Sequence, residues 1–465
     1  MDVTALLSHP SADSIVAYRG GRAVRAVEFL AEAERLAQSL PPGRHVLNAC
    51  ADRYRFAVGL AASLTTGRVS LLPSTHTPEV IRHLIQLAPD AFCLTDDEAC
   101  AIELPRFHYP DATAPSSLDS GAFRVPRIPD DQLAAIVFTS GSTGTPLPYR
   151  KTWGRLAGCV RAEAHELGIV DGRSFTLIGT VPAQHMYGFE STVLVALQSA
   201  NSFTAERPFY PADIAAAVAA APRPRVLVTT PVHLRTLLAA GVEWPTLDLL
   251  VSATAPLSRE LACAAETRSG APLLEIYGST ETGQIAIRRT GETEAFRLFR
   301  GVKLRADNGQ TYAYGGHVEQ MTPLCDVIEL SGEREFTLHG RTADLVNVAG
   351  KRSSFGYLNA QLNGIPGVLD GAFFLREGDR GGATGITRLA AAVVAPTLSA
   401  ASLLQSLRLR IDPVFLPRPL LLVARLPRNA TGKLPHQALE ALADQHALAQ
   451  AEEPGATKRS PHGNS

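Results

Sequence analysis

AAIVFTSGSTGTPLPYRKTW, residues 134–153, runs from an apolar segment into a loop of small and hydroxylated residues. Ala134–Phe138 reads as a buried strand. The loop Thr139-Ser140-Gly141-Ser142-Thr143-Gly144-Thr145-Pro146 leaves backbone N–H groups exposed and close together, and its hydroxyls add donors. Such a loop can wrap polyphosphate oxygens. It is not a GxxxxGK[ST] loop, because Pro146 stands where the second Gly would fall. Nor is it a GxSxG nucleophile elbow, since no Gly precedes Ser142 at the required place. A Ser/Gly-rich surface linker has the same composition, but the buried strand directly before it argues for a fixed loop.

Outward from this loop, helix and strand patterns alternate. Ala26–Leu40 has helical apolar spacing and is stopped by Pro41-Pro42-Gly43. HVLNACA then reads as a strand, FAVGLAASLTTG as a helix ended by Gly67, VSLLP as a strand, VIRHLIQL as a helix and AFCLTDD as a strand. A second series, Thr176 to Ile276, carries the strands TLIGTVP, RVLVTTP and LDLLVSATAP. Repetition of this kind predicts parallel sheets with right-handed crossovers. Near Gly340 the elements become short and Gly/Pro-punctuated. The expected organisation is α/β: a large N-terminal domain of parallel-sheet αβα layers (1–341), a small α+β domain (342–447) and a disordered tail (448–465).

With 465 residues the chain can bury a large core without disulfides. Lys+Arg 44 against Asp+Glu 45 excludes a general basic field for nucleic acid or anionic membrane. The six cysteines (Cys50, Cys93, Cys100, Cys159, Cys263, Cys325) form no CxxC pair and read as small buried hydrophobes in a reducing compartment. No leader pattern is visible, and the uncharged run Leu389–Leu407 is interrupted by Pro396 and polar residues, so a strand, a turn and a helix start are expected there. These features predict a cytoplasmic protein without membrane insertion.

TSGSTGTP resembles the signature loop of the adenylate-forming superfamily: acyl- and aryl-CoA synthetases, peptide-synthetase adenylation domains and luciferases. The other motifs of that family follow in order. The resemblance implies an ATP-binding enzyme with a mobile C-terminal lid, and assigns the phosphates to Thr139, Ser140, Gly141, Ser142, Thr143 and Gly144. YGSTETG (277–283) is similar to the YGxTE motif, which implies Tyr277 on adenine, Thr280 on the α-phosphate and Glu281 on Mg²⁺. Asp326, fourteen residues before Gly340, matches the ribose-binding Asp, and Arg341 the GR arginine that supports the nucleotide. LPRNATGKLPHQAL (426–439) is similar to PRxxxGK and puts Lys433 in the catalytic position. A carboxylate attacking an α-phosphate brings two anions together, and a cation reaching both stabilises the transition state. VPAQHMYGF (181–189) places His185 at the aromatic gate between acyl and thiol pockets, and LVSATAPLS (250–258) carries Ala253 and Thr254 where the family has two glycines.

Departures matter too. Leu147 stands where the family has a Lys after the loop's Pro, so Arg150 or Lys151 is expected to supply the cation to the β/γ-phosphates. Ala343 occupies the hinge position, with Asp344 next to it, and the usual insertion before Asp326 is largely absent. Met186 replaces the Asp that holds an amino-acid substrate's ammonium. A neutral pocket floored by Ala253, Thr254 and Ser279 suits an aryl or modest acyl group, and Thr254 or Ser279 is placed to meet a ring hydroxyl.

The expected reaction is ATP-dependent formation of an acyl-adenylate, followed by transfer to a phosphopantetheine thiol on coenzyme A or an acyl carrier protein. The compact length and GSTGTPLPYRKTW resemble the aryl-activating ligases of bacterial pigment pathways (aryl polyene and xanthomonadin type), which implies a hydroxybenzoate-like acid and a carrier-protein partner. A medium-chain acyl-CoA synthetase and a non-catalytic nucleotide-binding relative are the competing readings; retention of Glu281 and Lys433 disfavours the second.

Overall fold

The computed structural model describes residues 2–451 except 74, 111–122, 140–146, 171, 308–309, 342–344, 349–350, 376–388 and 430–433. Two compact units divide the chain, residues 1–338 and 339–465.

The first unit is built on two large sheets. One has six strands in the order 147–152, 133–139, 69–72, 45–48, 92–95, 106–108, parallel except for the antiparallel hairpin that begins it. The other has eleven strands. Its centre runs parallel through 273–279, 249–252, 225–229, 176–179, 202–204 and 15–19, and antiparallel strands extend both edges. Strand Ile15–Arg19, which the sequence patterns did not reveal, joins this second sheet although it precedes every strand of the first.

Apolar residues on successive positions face different cores, which is why these strands read as unbroken apolar runs. Leu177, Val226, Val228 and Val251 face a core shared with Val46, Leu72, Leu94, Ala135 and Val137 of the first sheet. Ile178, Leu227, Leu250 and Leu273 instead face the outer helices Pro211–Ala220, Pro231–Ala239 and Arg259–Ser269. Between the sheets lie Arg53–Thr65, buried on every side, and Trp153–Glu166. A helix that is apolar all round has no solvent face to offer, and this one has two sheets to bury against.

The second unit has a three-stranded sheet, 370–375, 389–394 and 420–422. Phe373, Ala391 and Val393 pack on Leu358, Leu362, Leu403 and Leu407, whereas Ala372, Phe374 and Ala392 pack on Leu439 and Ala443. LVNVAGKR, read as one short element, forms two antiparallel strands, Leu345–Val348 and Lys351–Ser354. The final helix, His436–Ala451, runs past the tail boundary at 448, because Ala, Leu and Gln continue to favour helix there and the first Pro is Pro454.

The cysteine expectation needs correction. Cys50, Cys93, Cys100 and Cys159 are buried, but Cys263 and Cys325 are exposed, on an outer helix and at a strand junction where no second layer covers them. Among the described residues no helix is long and apolar enough to cross a membrane.

Candidate active site

Ligands of open parallel sheets bind beyond the carboxyl ends of the strands. Strands 273–279, 249–252, 225–229 and 176–179 are parallel neighbours, so the segments that follow them emerge on one rim. Those segments are YGSTETG, ATAPL, Thr230 and VPAQH. Motifs spread over a hundred residues of sequence thus become adjacent through sheet order alone.

Tyr277 and Asp326, 49 residues apart, meet directly: the tyrosine hydroxyl donates to Oδ2 at 2.6 Å. The Tyr277 ring packs against Phe296 and Phe336 at 5.6 and 5.5 Å between centroids, and those two rings stack on each other. An aromatic face and a carboxylate are therefore fixed side by side, as adenine and ribose require.

The turn after Tyr277 closes on itself. Ser279 N–H donates to Thr282 Oγ1 and Thr282 N–H to Ser279 Oγ, each at 3.2 Å. Gly278 cannot be replaced cheaply, because a Cβ there would lie 2.4 Å from the Gly283 carbonyl oxygen. Thr280 and Glu281 sit partly exposed at the tip. A carboxylate beside a hydroxyl fits Mg²⁺, which takes one or two protein carboxylates and completes its shell with phosphate oxygens and water. No cluster of three His, Cys, Asp or Glu able to hold a metal occurs among the described residues. The Ser279 hydroxyl also lies 3.1 Å from Thr282 Oγ1.

In the segment after strand 249–252, Ala253 is buried and Thr254 adopts φ +80°, a left-handed backbone rare for a β-branched residue. His185 caps the short helix Met186–Gly188, its Nδ1 accepting from Tyr187 N–H at 3.3 Å. Tyr187, buried, donates its hydroxyl to the Val251 carbonyl at 3.0 Å and so ties the His185 segment to the strand that delivers Ala253. Arg53, 1% exposed, donates to the carbonyls of Thr204, Glu206, Gly179 and Val181 and braces the same rim from below.

Lys151 departs from expectation. Strand alternation leaves Arg150 exposed and turns Lys151 inward, 8% exposed, where Nζ donates to the Glu281 carbonyl at 2.9 Å. Lys151, one of the two cations expected on the β/γ-phosphates, thus meets the backbone of the Ser279–Gly283 turn. Around it lies a buried polar cluster that sequence reasoning missed. Glu190, 2% exposed, accepts from Cys159 Sγ at 3.5 Å, and burial pushes its carboxyl up to about 7 against the pull of the Lys151 charge. Burial raises Glu163 well above the carboxylate range. With its amide nitrogen toward Glu163, Gln284 donates at 3.0 and 2.9 Å and accepts from Ser191. Burial, helped by Lys151 and Arg155, drives His317 down to about 4. The only signal in the sequence was charge within apolar runs, as in Glu275 of LLEIYG, which accepts from Arg288, Thr290 and Leu257 N–H.

Of the remaining expected residues, Thr139 and Arg341 end their strands, while Ser140, Gly141, Ser142, Thr143, Gly144, Ala343, Asp344 and Lys433 lie outside the described residues.

Residues 7–307 match the AMP-binding enzyme family. The chain belongs to that family. Among relatives of this AMP-binding enzyme, a 4-coumarate–CoA ligase of Rhodobacter capsulatus is 31% identical over 234 residues, 50% of this chain and 58% of that protein. Another, from Halorhodospira halophila, is 30% identical over 316 residues, 64% of this chain and 73% of its own. An indoleacetate–CoA ligase of Aromatoleum aromaticum is 25% identical over 354 residues, 67% of each chain. The chain therefore spans little more than half the length of the first of these relatives. In fold the AMP-binding enzyme is similar to ATP-bound MatB of Rhodopseudomonas palustris (TM-score 0.79, 21% identity, 94% of this chain and 97% of that one). It is equally similar to the o-succinylbenzoate CoA synthetase of Bacillus subtilis in complex with its acyl-adenylate (TM-score 0.79, 18% identity, 95% and 99%).

Proposed function

We propose that this AMP-binding enzyme activates a carboxylic acid, specifically an aryl acid, with ATP and passes the acyl group to a phosphopantetheine thiol. The observation that carries the reading is the Tyr277–Asp326 pair, an adenine platform and a ribose acceptor held together beside the Thr280–Glu281 turn. Thr280 would bind the α-phosphate and Glu281 would hold Mg²⁺, which when bound would supply charge neutralisation at the phosphates. The loop 139–144 wraps the phosphates, Arg341 supports the nucleotide, and Lys433 stabilises charge as carboxylate oxygen attacks the α-phosphorus and pyrophosphate leaves. The C-terminal domain then moves so that the thiol can reach the acyl carbon.

The aryl reading rests on the neutral Met186 position, on Ala253 and Thr254, and on relatives that carry coumarate and indoleacetate in their names. Those same names favour coenzyme A as acceptor, whereas the GSTGTPLPYRKTW variant favours a carrier protein of pigment-pathway type with a hydroxybenzoate-like acid.

ATP–pyrophosphate exchange against hydroxybenzoates, cinnamates, fatty acids and amino acids tests the reading. Exchange driven by an aryl acid supports it. Exchange with a fatty acid alone would discard the aryl assignment, and no exchange with any acid would count against adenylation. Coenzyme A and a phosphopantetheinylated carrier, offered in turn, identify the acceptor.

A further inference from the structure

Lys151 stands on the strand Leu147–Thr152, which pairs antiparallel with Leu133–Thr139. Its ammonium ends on the Glu281 carbonyl, 130 residues away, at the tip of the metal turn. Beneath the same turn lies Glu190. A Cβ built on Gly283 would lie 3.2 Å from both Glu190 Oε1 and Cys159 Sγ, so the carboxylate is packed directly against the turn's backbone. Glu190 itself comes from Phe189–Leu194, a widened π-helical segment of the kind found at functional sites. A lysine buried this deeply is costly unless its donors are bonded and an anion lies within range of its charge; the Glu281 carbonyl takes one donor, and the Lys151 charge pulls the Glu190 carboxyl down against the push of burial.

We infer that Lys151 is a positioning residue that locks the Ser279–Gly283 turn and couples the hairpin of strands Leu133–Thr139 and Leu147–Thr152 to the Mg²⁺-binding carboxylate. Holding the Glu281 carbonyl fixes the peptide plane between Glu281 and Thr282, and with it the direction in which the Glu281 side chain leaves the backbone. The lysine is placed to act through Glu281, whose carbonyl takes its ammonium. The inference deepens the adenylation reading and rests on it.

The test compares the unaltered full-length chain with Lys151→Met and with Lys151→Met/Glu190→Gln. Thermal unfolding is measured alongside calorimetric binding of Mg·ATP and of adenosine. Lys151→Met alone lowers the unfolding midpoint, because Glu190 loses its counter-charge, and Glu190→Gln restores it. In the restored double variant Mg·ATP binding is expected to weaken about tenfold, a loss of ~1.4 kcal/mol, while adenosine affinity stays unchanged because Tyr277 and Asp326 are intact. A merely structural lysine would lower both affinities together or neither. Equal Mg·ATP affinity in the double variant, a parallel loss of adenosine affinity, or a double variant that is not restored in stability would each overturn the inference. An unaltered chain that binds adenosine but not Mg·ATP would overturn the adenylation reading itself, and the inference with it.

Discussion

Tyr277→Phe separates two roles that the site assigns to one side chain. The ring remains to meet adenine, while the hydroxyl that donates to Asp326 at 2.6 Å is removed. Hydrogen bonds to charged groups contribute about 1.5–3 kcal/mol net. Both groups are partly buried, so water replaces much of the lost bond and the lower end, about 1.5 kcal/mol, applies to stability. That bond exists with or without nucleotide, so most of its energy cancels from ATP affinity. What does not cancel is orientation: an Asp326 that loses this anchor spreads over more χ1 wells, at most about three, before ribose binds. At RT ln 3, this is at most ~0.65 kcal/mol, or roughly a threefold rise in KM for ATP. The expected pattern in pyrophosphate exchange is therefore an ATP KM higher by up to roughly threefold, an unchanged KM for the acid, and an unfolding midpoint lower by about 2–4 °C. An unchanged ATP KM in a folded variant, or an equal rise for both substrates, would show that the hydroxyl does not aim Asp326.

Lys433→Ala should lower acid-dependent pyrophosphate exchange by about a hundredfold or more, while supplied acyl-adenylate is still converted to thioester; equal loss in both assays would remove Lys433 from the adenylation step. Glu281→Gln should raise the Mg²⁺ concentration needed for half-maximal exchange by about tenfold, and a chelator should silence the variant at a lower concentration than the unaltered enzyme; equal Mg²⁺ requirements would take Glu281 out of the metal site. Thr254→Gly relieves the φ +80° strain, worth about 1–3 kcal/mol, less the roughly 0.5–1 kcal/mol that glycine's freer unfolded chain costs. Unfolding should show a net gain, and selectivity between hydroxylated and unsubstituted aryl acids should narrow; unaltered selectivity would take Thr254 out of the acyl pocket. Glu163 holds a proton in the folded chain that the unfolded chain releases above its ordinary pKa near 4.3. Stability should accordingly fall as pH rises from that point toward its raised folded pKa, and Glu163→Gln should flatten the fall when unfolding is followed from pH 5 to 9.

Local chemistry made part of this protein legible from its residues alone. Unbroken apolar runs such as LDLLVS announced strands buried on both faces, and Pro41-Pro42-Gly43 announced where a helix must stop, because such signals depend on neighbours in sequence. The motif residues Tyr277, Thr280, Glu281 and Asp326 were equally visible as candidates. Sheet order was not. Ile15–Arg19 lies beside Ser202–Thr204 only because parallel strands pair across crossovers of any length, and no local pattern encodes that partner. Lys151 shows the same limit at the site. Its sequence neighbours placed it near phosphate, but strand alternation and the second sheet turned it toward Glu281 and Glu190. A charge is assigned to solvent or to core by what packs over it, and for Lys151, Glu163 and Glu190 that cover comes from segments more than twenty residues away in the chain.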